Sequence, residues 1–180
     1  MRKIKLAMYL ALDGVVENPA WTQPFWNDEI SDLQEEYLYA SDALLLGRVT
    51  YEGFAASWPH MEEQTGDFGR KMNSMPKYVA SRTLEHAEWN ATIIEGDLAT
   101  SVAALKEEPG DDLLIYGSGD LVDELTVLRL IDEYRLIVYP VLVGKGKRIW
   151  GGAGELTLEL KDARTTSTGI AVLTYDSPTQ

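Results

Sequence analysis

The sequence predicts an α/β fold, a layered domain whose strands run largely parallel, and three observations carry that prediction. Short apolar runs alternate with segments of helical period, the pattern of strand, crossover helix and strand. Beyond Leu130 the helical period disappears and strand-like runs follow one another, so the last third should pair antiparallel. The chain has 180 residues, 45% of them hydrophobic, which is enough to bury one core in a single domain over residues 1–180.

Taken in order, the first strand runs from Ile4 to Leu12. Trp26, Ile30, Leu33, Tyr37 and Ala40 then recur at spacings of four and three and form one face of a helix that carries Asp28, Asp32 and Glu35 on the other. Further strands are expected at Ala43 to Leu46, Tyr78 to Ala80, Thr92 to Ile94 and Leu113 to Tyr116. Leu98, Val102 and Leu105 mark one more crossover helix, and Leu121, Leu125 and Leu128 another. A long strand follows from Tyr134 to Val143, then the alternating Leu156, Leu158 and Leu160, then Ile170 to Tyr175. Pro140 cannot donate to a ladder, so an edge position or a bulge is expected there.

The charge balance, 16 basic against 29 acidic residues for a net of −13, repels phosphate backbones and anionic lipid, and nucleic acid and membrane are not expected as partners. The apolar run behind Met1-Arg2-Lys3 is broken at Asp13, too soon for a signal segment or a membrane span, which points to the cytoplasm. There is no cysteine, which removes disulfides, thiolate nucleophiles and zinc–thiolate sites. His60 and His86 have no companions at ligand spacing, so no metal is expected; His60 follows Trp58-Pro59 and borders the expected pocket.

Three strand ends carry anion-binding chemistry. Leu44 to Leu46 leads into Gly47-Arg48-Val49-Thr50, a turn that aims backbone N–H groups outward and adds a charged and a hydroxyl donor. Tyr78 to Ala80 leads into Ser81-Arg82-Thr83, where a guanidinium stands between two hydroxyls. Leu113 to Tyr116 leads into Gly117-Ser118-Gly119-Asp120-Leu121, a Gly-x-Gly turn before a helix. Val122 stands where a Rossmann fingerprint has its third glycine, so an ordinary dinucleotide motif is not present. Each turn alone is also explained as a capped loop with solvated side chains. Three of them on the shared carboxyl edge of a parallel sheet point to a phosphate-rich cofactor.

These residues, together with Ala11-Leu12-Asp13-Gly14, Pro76-Lys77-Tyr78, Ile131-Asp132-Glu133 and Pro140-Val141-Leu142-Val143-Gly144-Lys145-Gly146, resemble the dihydrofolate reductase superfamily over nearly the whole chain. The branch is the one similar to the C-terminal reductase domain of riboflavin-biosynthesis proteins. The resemblance implies a dihydrofolate reductase-like, three-layer α/β fold whose central mixed sheet has about eight strands, mostly parallel with an antiparallel C-terminal part. It implies NADPH as hydride donor and a homodimer. Gly47, Arg48, Thr50, Ser81, Arg82 and Thr83 then lie near the adenosine phosphates, and Gly117, Ser118, Gly119, Asp120 and Leu121 near the pyrophosphate. Asp13 and Gly14 lie where the loop after the first strand closes on the nicotinamide, with Asp13 the candidate catalytic residue; a plain Asp-Gly turn is the competing reading.

The pattern of folate reductases is not fully reproduced. Their pterin-binding acid on the first helix has only Glu29, Asp32 and Glu36 as loose counterparts, and Asp32 points away from the apolar face. His86-Ala87-Glu88 looks like half of a zinc deaminase motif, but without cysteine the other half cannot exist. Gly144-Lys145-Gly146-Lys147-Arg148 reads as a turn or as a contact to a substrate phosphate. Trp21, Trp26 and Trp58 are expected around a cleft for a flat heterocycle. The function that follows is an NADPH-dependent oxidoreductase acting on a small heterocycle, pterin- or pyrimidine-like, or a carbonyl. A non-catalytic dimeric nucleotide-binding module is the alternative.

Overall fold

The apolar runs from Ile4, Ala43 and Leu113 become strands with most side chains buried on both faces, as expected of parallel strands covered by helices, while those at Tyr78 and Thr92 become short, half-buried strands. In the computed structural model, which describes residues 1–152 and 154–178, the strands are β1 (Ile4–Ala11), β2 (Ser41–Gly47), β3 (Lys77–Ala80), β4 (Ala91–Ile94), β5 (Asp112–Tyr116), β6 (Glu133–Tyr139), β7 (Glu159–Thr165) and β8 (Ala171–Asp176). They form one eight-stranded sheet in the order β4-β3-β2-β5-β1-β6-β8-β7. The six strands β1 to β6 are mutually parallel, and β8 runs antiparallel to both β6 and β7.

Five helices cover the sheet: α1 (Asp28–Tyr39), α2 (Arg48–Ser57), α3 (Glu62–Ser74), α4 (Leu98–Glu107) and α5 (Gly119–Val127). Ile30, Leu33, Tyr37 and Leu38 of α1, Tyr51 of α2 and Met72 of α3 form a core with Ala7, Leu44, Leu46, Ile137 and Tyr139 on one face. Val102 and Leu105 of α4 and Leu121, Val122 and Leu125 of α5 pack with Leu6, Met8, Leu45 and Ile115 on the other. Alternation along each strand divides its residues between these cores, which gives the three layers. The α1 start is fixed by Asn27, whose Oδ1 accepts the Ile30 N–H at 3.1 Å, and by Asp28 and Glu29 in its first turn.

Four expectations are corrected. β6 ends at Tyr139 and not at Val143: both of its edges are already in ladders, to β1 and β8, so Pro140 stops the strand where it would leave a gap. Leu156 and Leu158 lie before β7, packed against the core without ladder partners in it, and only Leu160 is in the strand. Trp26 and Ala40 flank α1 and are exposed. The helix α3 went unread because it is polar and broken at Gly66, whose φ of 58° leaves the helical region.

Candidate functional site

Strands β3, β2, β5 and β1 are consecutive neighbours and parallel, so the residues that follow them emerge on one edge of the sheet. Ser81, Gly47, Gly117 and Asp13 are thereby brought to a common carboxyl edge, the position at which open α/β sheets bind ligands.

The turns after β2 and β5 are locked together by reciprocal hydrogen bonds. The Gly47 N–H donates to Ser118 Oγ at 3.0 Å, and the Ser118 N–H donates to Thr50 Oγ1 at 3.0 Å. Ser118 Oγ itself donates to the Tyr116 carbonyl at 3.0 Å. Gly117 and Ser118 both take left-handed backbone, with φ of 55° and 60°, and this double reversal swings the chain into α5. A Cβ at Gly47 would lie 3.5 Å from Ser118 Cβ and 3.6 Å from Leu121 Cβ, which shows how closely the two turns pack. Thr50 and Ser118 therefore shape the turns, and Leu121 sends its side chain into the core. What remains to meet an anion is the backbone N–H groups of the first turns of α2 and α5.

Charged groups surround these turns. Arg48 forms a two-pronged pair with Glu52, at 3.1 and 2.9 Å, on the exposed side of α2. Arg82 is 89% exposed and reaches Glu124 of α5 at 3.4 Å. Ser81 Oγ accepts the N–H groups of Thr83 and Leu84 at 3.2 and 3.0 Å, which fixes the turn that presents Arg82. Asp120 pairs with Lys147 across the front of α5. Gly119 faces apolar side chains: an added Cβ would lie 3.4 Å from Ile149 Cγ2 and 3.8 Å from Val16 Cγ2.

The loop after β1 is laced to the basic segment after β6. Asp13 Oδ2 accepts the Gly144 N–H at 2.7 Å, and its carbonyl accepts Arg148 Nε at 2.9 Å. Val15 and Arg148 form a β-bridge, and Glu17 accepts the Lys147 N–H at 3.2 Å. Gly14 completes the turn with φ of 84°. The Gly144 N–H, with the Arg148 guanidinium adding to it, holds the Asp13 carboxyl below the usual carboxylate range. Asp13 is thus an anion at neutral pH, suited to orienting and not to giving up a proton. The segment Gly144 to Arg148 is a turn held by acids, with the Lys147–Asp120 pair at its reach.

On α1 the acids do not face the sheet. Glu29 is bound to the N–H of Ser167 at 2.8 Å and to its hydroxyl, Glu36 lies 3.8 Å from Arg164, and Asp32 is exposed. The polar residue that does face inward is Gln34, 5% exposed, which the sequence reading missed. The signal was present: Gln34 follows Ile30 by four and precedes Tyr37 by three, on the apolar stripe itself. Around it lie Tyr9, Tyr37, Tyr116 and Tyr139, with Trp21 and Phe25 of the short 3-10 helix Pro19–Phe25 edge-on to Tyr139 at 5.5 and 6.0 Å and Trp26 edge-on to Tyr9 at 6.5 Å. Burial pushes Tyr37 and Tyr139 up to about 12 and raises Tyr9 and Tyr116 as well, so all four stay protonated at neutral pH. Trp58 packs with Phe54 and Phe68 on the far side of α2, and His60 is exposed beside it. Among the described residues no group of three or more His, Asp or Glu side chains is placed to hold a metal ion.

An eight-stranded, mostly parallel α/β sheet with glycine turns at the carboxyl ends of adjacent strands is the setting of the site. Residues 2–172 match the RibD C-terminal domain family, and the chain belongs to it. The chain is 29% identical over 178 residues to the uncharacterized protein YyaP of Bacillus subtilis (strain 168), covering 97% of this chain and 94% of that protein. Its fold is similar to a structure described as a riboflavin biosynthesis protein from Shewanella sp. PV-4, with a TM-score of 0.80 at 20% identity over 99% of this chain and 100% of that one. It is also similar to the riboflavin biosynthesis reductase Rib7 of Saccharomyces cerevisiae, with a TM-score of 0.64 at 15% identity over 98% and 90% of the two chains.

Proposed function

We propose that the chain is an NADPH-dependent reductase that passes a hydride to a small heterocyclic, pterin- or pyrimidine-like, or carbonyl substrate. The observation that carries this reading is the interlock of the Gly47–Thr50 and Gly117–Gly119 turns, which leaves two helix N-termini side by side on the carboxyl edge. Family membership and the Rib7 reductase among the similar folds support it.

The residues present fit a dinucleotide phosphate. Gly117 is tight against Thr50, with 3.4 Å from an added Cβ to Oγ1, and the first turn of α5 that follows it carries backbone N–H groups without intrahelical partners. Arg82 and Arg48 would hold the adenosine phosphates by exchanging their exposed carboxylate partners, pairs of the kind worth about 1 kcal/mol or less. Ser81 and Thr83 fix and flank Arg82, and Asp120 with Lys147 borders the pyrophosphate. The bound cofactor supplies the hydride. Asp13, with Gly14, holds the loop after β1 against the Gly144 turn and orients the nicotinamide side of the site.

The test is titration with NADPH and NADH by tryptophan fluorescence, followed by a screen of dihydropterins, pyrimidine ketones and small carbonyls for loss of the reduced-nicotinamide absorbance. Tight binding with turnover on one class is expected. Binding without turnover on any class would favour the nucleotide-binding module, and no binding would refute the reading.

A further inference from the structure

The connection from β3 to β4 leaves a cavity between itself and α2. Parallel neighbours need a crossover of about a dozen residues or more, usually a helix. Here residues 81–90 make the return without a helix, and they lie against α2. The Tyr51 hydroxyl accepts the Glu88 N–H at 2.7 Å and donates to the Glu88 carbonyl at 3.1 Å, and Trp89 stands edge-on to Phe54 at 6.5 Å. The space left where a helix would pack is about 340 Å³, lined by Tyr51, Ala55 and Pro59 on one side and His86, Glu88 and Trp89 on the other. That volume falls in the range of small-molecule sites, about 300 to 1,000 Å³.

The wall is fixed in advance. Trp89 Nε1 donates to Asn73 Oδ1 at 2.8 Å, and the Lys77 ammonium lies 3.9 Å from the centre of the ring. Trp89 and Asn90 are both left-handed, with φ of 58° and 54°, a strained choice for two successive residues with side chains. The Asn90 carbonyl accepts the Lys77 N–H at 3.0 Å, which puts this wall at the amino end of β3, the end opposite Arg82. Tyr51 spends its hydroxyl on the Glu88 backbone, so the polar groups left to an occupant are the side chains of His86 and Glu88. Among the described residues neither has a hydrogen-bond or ion-pair partner. They are too few to hold a metal ion, which needs at least a third ligand.

We propose that this cavity is a second binding site, distinct from the carboxyl edge, for a small flat cation: an aromatic ring bearing an amidine, guanidine or protonated amino group. The ring packs against Trp89, Ala55 and Pro59, and the cationic group pairs with Glu88, in two parallel hydrogen bonds where it is an amidine or guanidine. A neutral His86 offers one ring nitrogen as a further acceptor. An anion would meet the Glu88 carboxylate, and a purely apolar ring would strip it of water without replacing the lost hydrogen bonds. Lys77 is buried behind the indole and is not part of the lining, and the field of a chain of net charge −13 favours a cation. The site does not depend on the reductase reading.

The experiment sets benzamidine against benzoate, rings of one size and opposite charge, on the full chain at about 0.15 M salt, where attraction between exposed charges is screened beyond about 8 Å. Binding is followed by tryptophan fluorescence and calorimetry. Benzamidine should bind at least about tenfold more tightly than benzoate. Glu88→Gln, a change of charge without change of shape at an exposed position, should weaken benzamidine about tenfold. Glu85→Gln, the same change just outside the lining, should leave it unaltered. Ala55→Leu keeps a good helix former in α2, fills the floor of the cavity and should remove binding. Saturating NADPH should not displace the probe. No benzamidine binding at millimolar concentration, equal affinity for benzoate, or equal effects of the two glutamate substitutions would each overturn the inference. Displacement by NADPH would overturn it as well, by making the cavity part of the cofactor's own site.

Discussion

Replacing Thr50 with valine removes one hydroxyl and keeps the shape and branching of the side chain, so the variant isolates the bond between the two turns. That bond is the Ser118 N–H to Thr50 Oγ1 contact at 3.0 Å, and Ser118 is only 9% exposed. Without the hydroxyl a nearly buried N–H has no partner, a loss of about 1 to 3 kcal/mol. Ser118 also sits at φ 60°, a left-handed conformation that costs a non-glycine residue about 1 to 2 kcal/mol and holds only while its bonds hold. The prediction is therefore two-fold: urea denaturation should show destabilisation of about 1 to 3 kcal/mol, and NADPH affinity should fall about tenfold for each 1.4 kcal/mol that the turn needs to re-form on binding. Ser118→Ala, which frees the Gly47 N–H, should be less than additive with it, because the two substitutions break one interlock. Unchanged stability and unchanged affinity would refute the reasoning. Lost affinity at full stability would show that the Thr50 hydroxyl touches the cofactor directly.

Arg82→Ala should leave stability within about 0.5 kcal/mol, as expected for an exposed side chain, and weaken NADPH by about ten- to a hundredfold with little effect on NADH; equal losses for both would move Arg82 to the shared pyrophosphate. Gly119→Val should weaken NADPH severely and also cost stability, since its side chain must enter the contact with Ile149 and Val16; a variant with wild-type affinity would make that turn merely structural. Lys77 is buried with Nζ 2.9 Å from the Asn73 carbonyl and 3.9 Å from the Trp89 ring, and burial pushes it down to about 8 from 10.5. The unfolded chain binds more protons in that interval, so Lys77 should make stability rise with pH from about 8 to 10.5, and Lys77→Met should flatten the rise in denaturation curves; an unchanged slope refutes it. A homodimer is expected from light scattering because all seven residues of β7 are exposed on an open sheet edge; a monomer across micromolar concentrations overturns that.

The fold was readable where the chain had to satisfy a period. Parallel strands covered on both faces must be apolar without interruption, and Leu44 to Leu46 and Leu113 to Ile115 could not be placed otherwise. Where burial was one-sided or absent the signal failed. The strand β7 is charged along its length, Glu159-Leu160-Lys161-Asp162-Ala163-Arg164-Thr165, and is held by its ladder to β8 and by ion pairs from Lys161 and Arg164 rather than by burial. The leucines that looked like its pattern, Leu156 and Leu158, are loop residues whose burial is set by tertiary packing. Helix α3 is placed by Gly69 and Met72 against the core, two buried positions in thirteen residues, too few for a periodic stripe.

The site was legible as a list of donors and illegible as an arrangement. Sequence places Thr50 and Ser118 at strand ends, and from that position each looks like a ligand contact; only the adjacency of β2 and β5 shows that each hydroxyl accepts a backbone N–H of the opposite turn, Ser118 that of Gly47 and Thr50 that of Ser118. Asp13 shows the same effect more sharply. An acid at the end of the first strand invites the role of proton donor, yet the chain returns 131 residues later to place the Gly144 N–H on its carboxylate. A carboxylate held in its charged form carries no proton to give at neutral pH. Position along the chain told which groups reach the carboxyl edge. Which of them are spent on holding the fold is decided by long-range pairing, between β2 and β5 for Thr50 and Ser118 and between the loop after β1 and the segment after β6 for Asp13.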